Sequence, residues 1–288
     1  MQVPSHVEYE RATSVEHALT LLGRPDHRVL AGGHSLIPMM KLRLAQPGVL
    51  VDINGLAELA YIKEHGGQLR IGALARHADL LDSETAAQHF PIFHDAERVV
   101  ADPIVRLWGT IGGSLCQADP SEDLSAVFAA VRATAVIRGQ DGDREVPVRA
   151  FHLGPYETVV GPGELLAEIR VPVPARARIG SAYEKVARRV GDWSVAAAGA
   201  VLQLDQQTIE QAGIGLTAVG AEHFVAAEAE DFLRGQPATE PNFKTAARIA
   251  AEHCHPVADQ RGPEDYKRHL VAELTNRALR RAVARATA

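Results

Sequence analysis

The stretch from Leu107 to Leu124 constrains this chain more than any other. It reads Leu107-Trp108-Gly109-Thr110-Ile111-Gly112-Gly113-Ser114-Leu115-Cys116-Gln117-Ala118-Asp119-Pro120-Ser121-Glu122-Asp123-Leu124. Three glycines and two small hydroxyl residues fall within six positions. Glycine has no Cβ, so the main chain can come close to a ligand or to another segment there. Successive N–H groups in such a bend make an anion cradle. The plainer alternative is a tight turn between two buried elements. A helix is expected to follow, with Asp119 at its N-cap, Pro120 at its first position and Glu122 completing a capping box.

A second stretch has the same character. Arg28-Val29-Leu30-Ala31-Gly32-Gly33-His34-Ser35-Leu36-Ile37-Pro38 is an apolar strand that runs into Gly-Gly plus a hydroxyl residue, and then into a helix. Two such loops can hold the two phosphates of a dinucleotide between them. Neither has the G-x-G-x-x-G spacing of a Rossmann turn, and neither continues into the Gly-Lys-Ser/Thr of a P-loop.

Through these two stretches the chain resembles the FAD subunits of molybdenum hydroxylases. It is most like the medium subunits of aerobic carbon monoxide dehydrogenases, and the same module occurs inside xanthine dehydrogenase. Ala31–Ser35 and Thr110–Ser114 are similar to the family's paired FAD-binding signatures. Ala31 to Leu44, Asp102 to Leu124, Gly163 to Pro172 and Tyr183 to Ala197 follow in the family's order. The resemblance implies an α+β fold: a two-part FAD-binding domain of the PCMH (vanillyl-alcohol oxidase-like) type, then an α+β C-terminal domain. It also implies FAD in this chain, with molybdopterin and [2Fe–2S] clusters on partner chains. Those partners would be a large molybdopterin subunit and a small [2Fe–2S] subunit, assembled as a dimer of heterotrimers that feeds an external electron acceptor.

Carried over residue by residue, the implied cofactor site begins with Leu30, Ala31, Gly32, Gly33, His34, Ser35 and Leu36. It continues with Ala101, Gly109, Thr110, Gly112, Gly113 and Ser114, and adds Asp123, Leu165, Leu166, Lys185 and Trp193. Both glycine loops are expected to supply N–H groups to phosphates, with a helix dipole behind the first. The backbone of His34 is the expected contact; its imidazole can equally be an ordinary residue at a helix N-terminus. Asp123 is implied as a polar contact to the cofactor, against simple helix-dipole stabilisation. Leu165 and Leu166 would pack near the flavin. Lys185 would offset charge on the reduced flavin, against the alternative of a solvated helix lysine. The family pattern has a tyrosine covering one flavin face where this chain has Trp193. A tryptophan stacks there equally well, and the alternative is an ordinary buried tryptophan at a domain junction.

Composition narrows the function from the other side. A net charge of −6 and the lack of a basic stripe with interleaved aromatics argue against a nucleic-acid face. No apolar run reaches membrane-spanning length, and the N-terminus has no signal-peptide pattern, so a cytoplasmic protein is expected. Two cysteines, Cys116 and Cys254, exclude a four-thiolate cluster held by this chain alone. His253-Cys254-His255 is not read as a metal site, because neighbours on a helix point in different directions. No catalytic Ser–His–Asp order, carboxylate pair or zinc motif is present, so no catalytic side chain is expected and the reactive group is the flavin. Two other functions remain open: a self-sufficient flavin reductase or oxidase of the same superfamily, and a cofactor-free assembly scaffold.

Patterning supplies the domains. Thr13-Ser14-Val15-Glu16 reads as a capping box before a helix ended by Gly23. A buried strand is expected over Arg28–Ala31, a helix over Leu36–Leu44 and a strand over Val49–Ile53. Together these make an N-terminal subdomain over 1–54. A middle subdomain over 55–177 contains a strand Leu69–Leu74, helices His77–Leu81 and Pro91–Val100, a hairpin around Gln140-Asp141-Gly142, and a strand Leu165–Val171. Pro172–Gly180 is the expected linker. The C-terminal domain, 178–288, is expected to have two apolar strands, Ala198–Leu204 and Ile209–Val219. Helices over Phe224–Arg234, Pro241–Cys254 and Pro263–Ala286 would follow them.

Overall fold

A computed structural model describes residues 3–174 and 178–288. The chain begins with β1 (Glu8–Arg11), α1 (Val15–Leu22), β2 (His27–Leu30), α2 (Leu36–Lys41) and β3 (Val49–Asp52). The three strands form a parallel sheet in the order β1-β3-β2. Ser14, rather than Thr13, caps α1, its Oγ accepting from the His17 N–H at 3.1 Å. Val15, Ala18, Leu19 and Leu22 of α1 bury against Val51 and Ile53, and Leu165 and Ala167 close this small core from below. β2 is only half-buried, not buried as expected, because one side of it faces a cavity.

The next segment opens with the hairpin β4 (Ile62–His65) and β5 (Gln68–Gly72). A run of short helices follows: α3 (His77–Leu81), α4 (Glu84–His89), α5 (Ile92–Glu97), α6 (Pro103–Trp108), α7 (Ile111–Gln117) and α8 (Asp123–Ala130). Then come β6 (Thr134–Gly139), β7 (Gly142–Pro147), β8 (His152–Gly154), β9 (Glu157–Thr158) and β10 (Leu165–Pro172). Five of these strands make an antiparallel sheet in the order β4-β5-β10-β6-β7, and β8 pairs with β9. Leu69, Ile71, Ile137 and Ile169 of the sheet pack against Phe93, Ile111, Leu115, Leu124 and Phe128 of the helices. α8 is buried along its whole length, so its apolar residues occupy every side rather than one stripe.

β11 (Arg178–Ala187), β12 (Ser194–Asp205) and β13 (Thr208–Thr217) form a second antiparallel sheet. It is covered by α9 (Ala227–Leu233), α10 (Glu240–Glu252) and α11 (Glu264–Thr287). β11 was not foreseen. It begins at Arg178, so the expected linker shrinks to the residues just after Pro172, and its centre, 175–177, lies outside the described residues. The small residues of β12 let helices approach both faces of the sheet. At Gly213 and Gly215 of β13, a Cβ would stand 2.0 Å from the carbonyl oxygens of Ala130 and Ala126 on α8.

Buried carboxylates pin the C-terminal sheet and helices to the rest. Asp95 of α5 accepts from Arg281 at 3.0 Å and from Arg285 at 2.6 Å, both on α11. Glu230 of α9 accepts from Arg132 at 3.0 Å and from Arg149 at 2.8 and 2.7 Å. Asp123 of α8 holds β11 and β12, as described below.

Candidate cofactor-binding site

One large cavity, about 820 Å³, lies where these parts meet. That is ample for a nucleotide-sized ligand, whose pockets run to roughly 300–1,000 Å³. Of the residues implied by resemblance, all from Ala31 to Trp193 line it, whereas Leu30 does not. Leu30 ends β2, and its Cδ1 lies 3.3 Å from where a Cβ on Gly33 would be, so it props the loop from behind.

The first glycine loop leaves its backbone donors open. Among the described residues, the N–H groups of Gly32, Gly33, His34 and Ser35 have no protein partner, and all four residues line the cavity. Gly33 has φ +74°, which a residue with a Cβ adopts only with strain. Ser35 makes no side-chain cap on α2, so its hydroxyl is also free of that duty.

The second loop differs from the expectation. It is not an open bend: Ile111–Gln117 is helical, so Gly112 and Gly113 lie in its first turn. Thr110 is the N-cap, and its Oγ1 accepts from the Gly113 N–H at 3.1 Å. The Ile111 N–H donates to Ala75 O at 2.9 Å, Gly112 N–H to Ala73 O at 2.9 Å, Ser114 N–H to Thr110 O at 3.0 Å and Gly109 N–H to Val105 O at 2.6 Å. These donors are committed to protein and do not form the expected second cradle. The glycines are needed for a different reason. A Cβ on Gly112 would stand 2.6 Å from Ala73 Cβ, and one on Gly113 would stand 2.6 Å from Thr110 Oγ1. The two loops also meet directly, since a Cβ on Gly32 would lie 2.2 Å from Trp108 O.

The next helix starts later than expected. Ala118, at φ +52°, ends α7; Asp119 Oδ1 accepts from the Ser121 N–H in a turn, and Glu122 caps α8. Glu122 accepts from the N–H groups of Leu124 and Ser125 at 2.8 and 2.7 Å and from the Ser114 hydroxyl at 2.7 Å. Burial pushes its carboxyl above the ordinary range.

Asp123, the first residue of α8, is fully occupied by other side chains. Its Oδ1 accepts from Tyr183 OH at 2.6 Å and Ser194 Oγ at 2.8 Å, and its Oδ2 accepts from Lys185 Nζ at 2.7 Å. Lys185 stands on strand β11, not on a helix, and also donates to Val99 O at 3.2 Å. The pair therefore ties the second sheet to the cavity wall. Leu165 and Leu166 are buried apolar wall. Trp193 is 45% exposed and sits on the rim just before β12, which excludes the reading of an ordinary core tryptophan.

Sequence reasoning missed several lining residues: His77 at the start of α3, Cys116 and Gln117 on α7, the segment Arg24–Val29 that leads into β2, and Thr158 with Val160–Glu164. His77 and Arg24–Val29 carry no glycine or hydroxyl signal, Thr158–Glu164 holds Thr158, Gly161 and Gly163 without such a stretch before a helix, and the tertiary fold brings all of them to the cavity. Among the described residues there is no cluster of three metal-ligating side chains, and no helix is long and apolar enough to cross a membrane.

An open row of N–H groups beside a nucleotide-sized cavity with a leucine wall suits FAD, and the comparisons bear on the same point. Residues 5–174 match the family described as "FAD binding domain in molybdopterin dehydrogenase". The chain belongs to this family. Residues 181–282 match the "CO dehydrogenase flavoprotein C-terminal domain", so this FAD-binding component of an oxidoreductase has both parts of its fold accounted for. The chain is 40% identical to the carbon monoxide dehydrogenase medium chain of Hydrogenophaga pseudoflava, over 98% of this chain and 99% of that one. A solved structure of carbon monoxide dehydrogenase from the same organism, lacking the Mo-pyranopterin moiety, superposes with a TM-score of 0.94 at 41% identity. That match covers 98% of this chain and 99% of the solved one. The xanthine dehydrogenase FAD-binding subunit of Escherichia coli O157:H7 is more distant, at 26% identity over 96% of each chain.

Proposed function

We propose that the cavity holds FAD and that this chain is the electron-transfer subunit of a molybdenum hydroxylase. It takes electrons from the [2Fe–2S] clusters of a small partner subunit, which a large molybdopterin subunit supplies, and passes them to an external acceptor. A dimer of heterotrimers is the assembly this reading favours, with 1–54 and 55–177 as the two halves of the flavin domain and 178–288 as its C-terminal partner. The observation that carries the reading is the unpartnered row of N–H groups at Gly32–Ser35 on a cavity of about 820 Å³.

Bound FAD supplies the one- and two-electron chemistry that no side chain here has. The chain's own residues bind, orient and shield. Gly32, Gly33, His34 and Ser35 donate backbone N–H groups to phosphate oxygens. Gly109, Thr110, Gly112, Gly113 and Ser114 shape the facing wall and bring it into contact with the first loop. Leu165, Leu166 and Trp193 exclude water from the ring system, with Ala31, Leu36 and Ala101 completing the lining. Asp123 and Lys185 hold the second sheet in place so that Trp193 stays on the rim.

The oxidised substrate is not set by this chain. Relatives with this same architecture carry names as different as carbon monoxide dehydrogenase and xanthine dehydrogenase. Titrating flavin-free protein with FAD and with FMN tests the proposal: FAD should bind far more tightly, and equal affinities would contradict a dinucleotide site.

A further inference from the structure

The cavity wall holds a buried titratable pair, His77 and Glu97. His77 opens α3, and its side chain is 6% exposed; Glu97, at the end of α5, is completely buried. His77 Nδ1 lies 3.1 and 3.0 Å from the two carboxylate oxygens of Glu97. A carboxylate only accepts, so Nδ1 carries a proton and donates it. The other ring nitrogen, Nε2, has no protein partner among the described residues. It is not sealed in the interior as His152 Nδ1 is, and His77 is part of the cavity lining. Gly109 keeps this side open: a Cβ there would stand 2.8 Å from His77 Cδ2 and 3.4 Å from Nε2. The His77 N–H in turn donates to Gly109 O at 3.2 Å, which fixes the ring against the second glycine loop.

We infer that His77, oriented by Glu97, is a binding residue that offers an Nε2–H to an acceptor atom of the flavin nucleotide, beside a loop in which the N–H groups of Ile111 to Ser114 are already used. The inference rests on the reading of the cavity as an FAD site. The acceptor belongs either to a phosphate or to the polar edge of the ring; a donor of this kind suits both. The surroundings favour the cationic imidazole. Burial works to lower its pKa, but the charge and hydrogen bond of Glu97 raise it further, helped by Glu122 and Asp123, and it ends above the ordinary value. Burial raises the Glu97 carboxyl, against the charge and hydrogen bond of His77 and the charge of Arg106, which work to lower it.

Two variants of the full chain, stripped of flavin and titrated with FAD between pH 6 and 8, test this. Glu97→Gln keeps the shape and removes the charge. Wild-type affinity should hold to a higher pH than Glu97→Gln affinity, because the variant loses the charge and hydrogen bond that raise the imidazole while burial still lowers it. His77→Phe combined with Glu97→Gln removes the donor without leaving a lone buried charge. It should weaken FAD binding by roughly ten- to a hundredfold, the range expected for a hydrogen bond to a charged group. Riboflavin, which has no phosphate, identifies the atom: an equal loss for riboflavin places the contact on the ring, and a loss confined to FAD places it on phosphate. If Glu97→Gln matches wild type at every pH and the double variant, where it folds, stays within twofold, His77 is only a wall residue. If wild type itself binds no FAD, the underlying site reading fails instead.

Discussion

The two glycine loops are near twins in sequence and opposites in structure. Ala31-Gly32-Gly33-His34-Ser35 and Thr110-Ile111-Gly112-Gly113-Ser114 both place a glycine pair and a hydroxyl residue before a helix. The first keeps the N–H groups of Gly32–Ser35 unpartnered and aimed at a cavity. The second commits the N–H groups of Ile111, Gly112, Gly113 and Ser114 to Ala75, Ala73 and Thr110, and uses its glycines to pack against those neighbours. Glycine allows close chain packing in both loops, at Gly32 against Trp108 O and at Gly112 against Ala73, and only in the first, where Gly33 takes φ +74°, are the backbone donors left for a ligand. The local sequence does not separate them, because the deciding acceptors, Ala73 O and Ala75 O, lie more than thirty residues away in the chain.

This contrast can be broken by mutation, and the largest effect is expected in the first loop. Gly32→Val puts side-chain atoms onto Trp108 O and forces the loops apart. FAD binding should be lost altogether by titration, with far-UV circular dichroism reporting how much of the fold survives. Retained affinity would mean that the first loop is not in the site.

Thr110→Ala probes the other loop. Removing a cap of this kind costs about 1 kcal/mol, and the loss should show in denaturant unfolding. Because the Thr110 hydroxyl serves its own helix, FAD affinity should fall by no more than a few-fold. A collapse of affinity with unchanged stability would show that the second loop is a phosphate cradle after all.

Trp193 sharpens the comparison from the rim. It is 45% exposed, so Trp193→Ala should cost well under the roughly 3–5 kcal/mol of a core tryptophan. Bound FAD in the variant should fluoresce more brightly and react faster with dioxygen. A large stability loss with unchanged fluorescence would assign Trp193 to packing.

The smallest effect concerns Cys116 of the second loop's helix, a free thiol on the cavity wall. Burial pushes its thiol up to about 12, so it stays protonated and a poor nucleophile near neutral pH. Thiol reagents at pH 8 should label it far more slowly than an unfolded cysteine; rapid labelling of the native flavin-free protein would show an open wall.

Much of the fold was legible. Apolar spacing marked α1 and α11, and the turn at Asp141-Gly142 marked the β6–β7 hairpin, whereas β4, the partner of β5, had no expectation. β11 was missed because Ser181–Ala187 mixes small, aromatic and charged residues: Tyr183 and Lys185 alternate there for the sake of Asp123, not for a core. Glu122 looked like the third residue of a capping box but is itself the cap, since αL Ala118 and the Asp119 turn use up the residues between. For the site, the two glycine loops carried a local signal, whereas Asp123, Leu165, Leu166, Lys185 and Trp193 came only through the family resemblance. His77 and Glu97 escaped, because a buried histidine with its carboxylate partner twenty residues on has no local signal.

Hydrogen–deuterium exchange of the backbone amides, with and without FAD, tests the central claim most directly. In the flavin-free protein, the amides of Gly32–Ser35 should exchange fast and those of Ile111–Ser114 slowly. FAD should then protect Gly32–Ser35 strongly and change Ile111–Ser114 little. Fast-exchanging amides at Ile111–Ser114 that gain protection on binding, with no change at Gly32–Ser35, would contradict the assignment of the two loops.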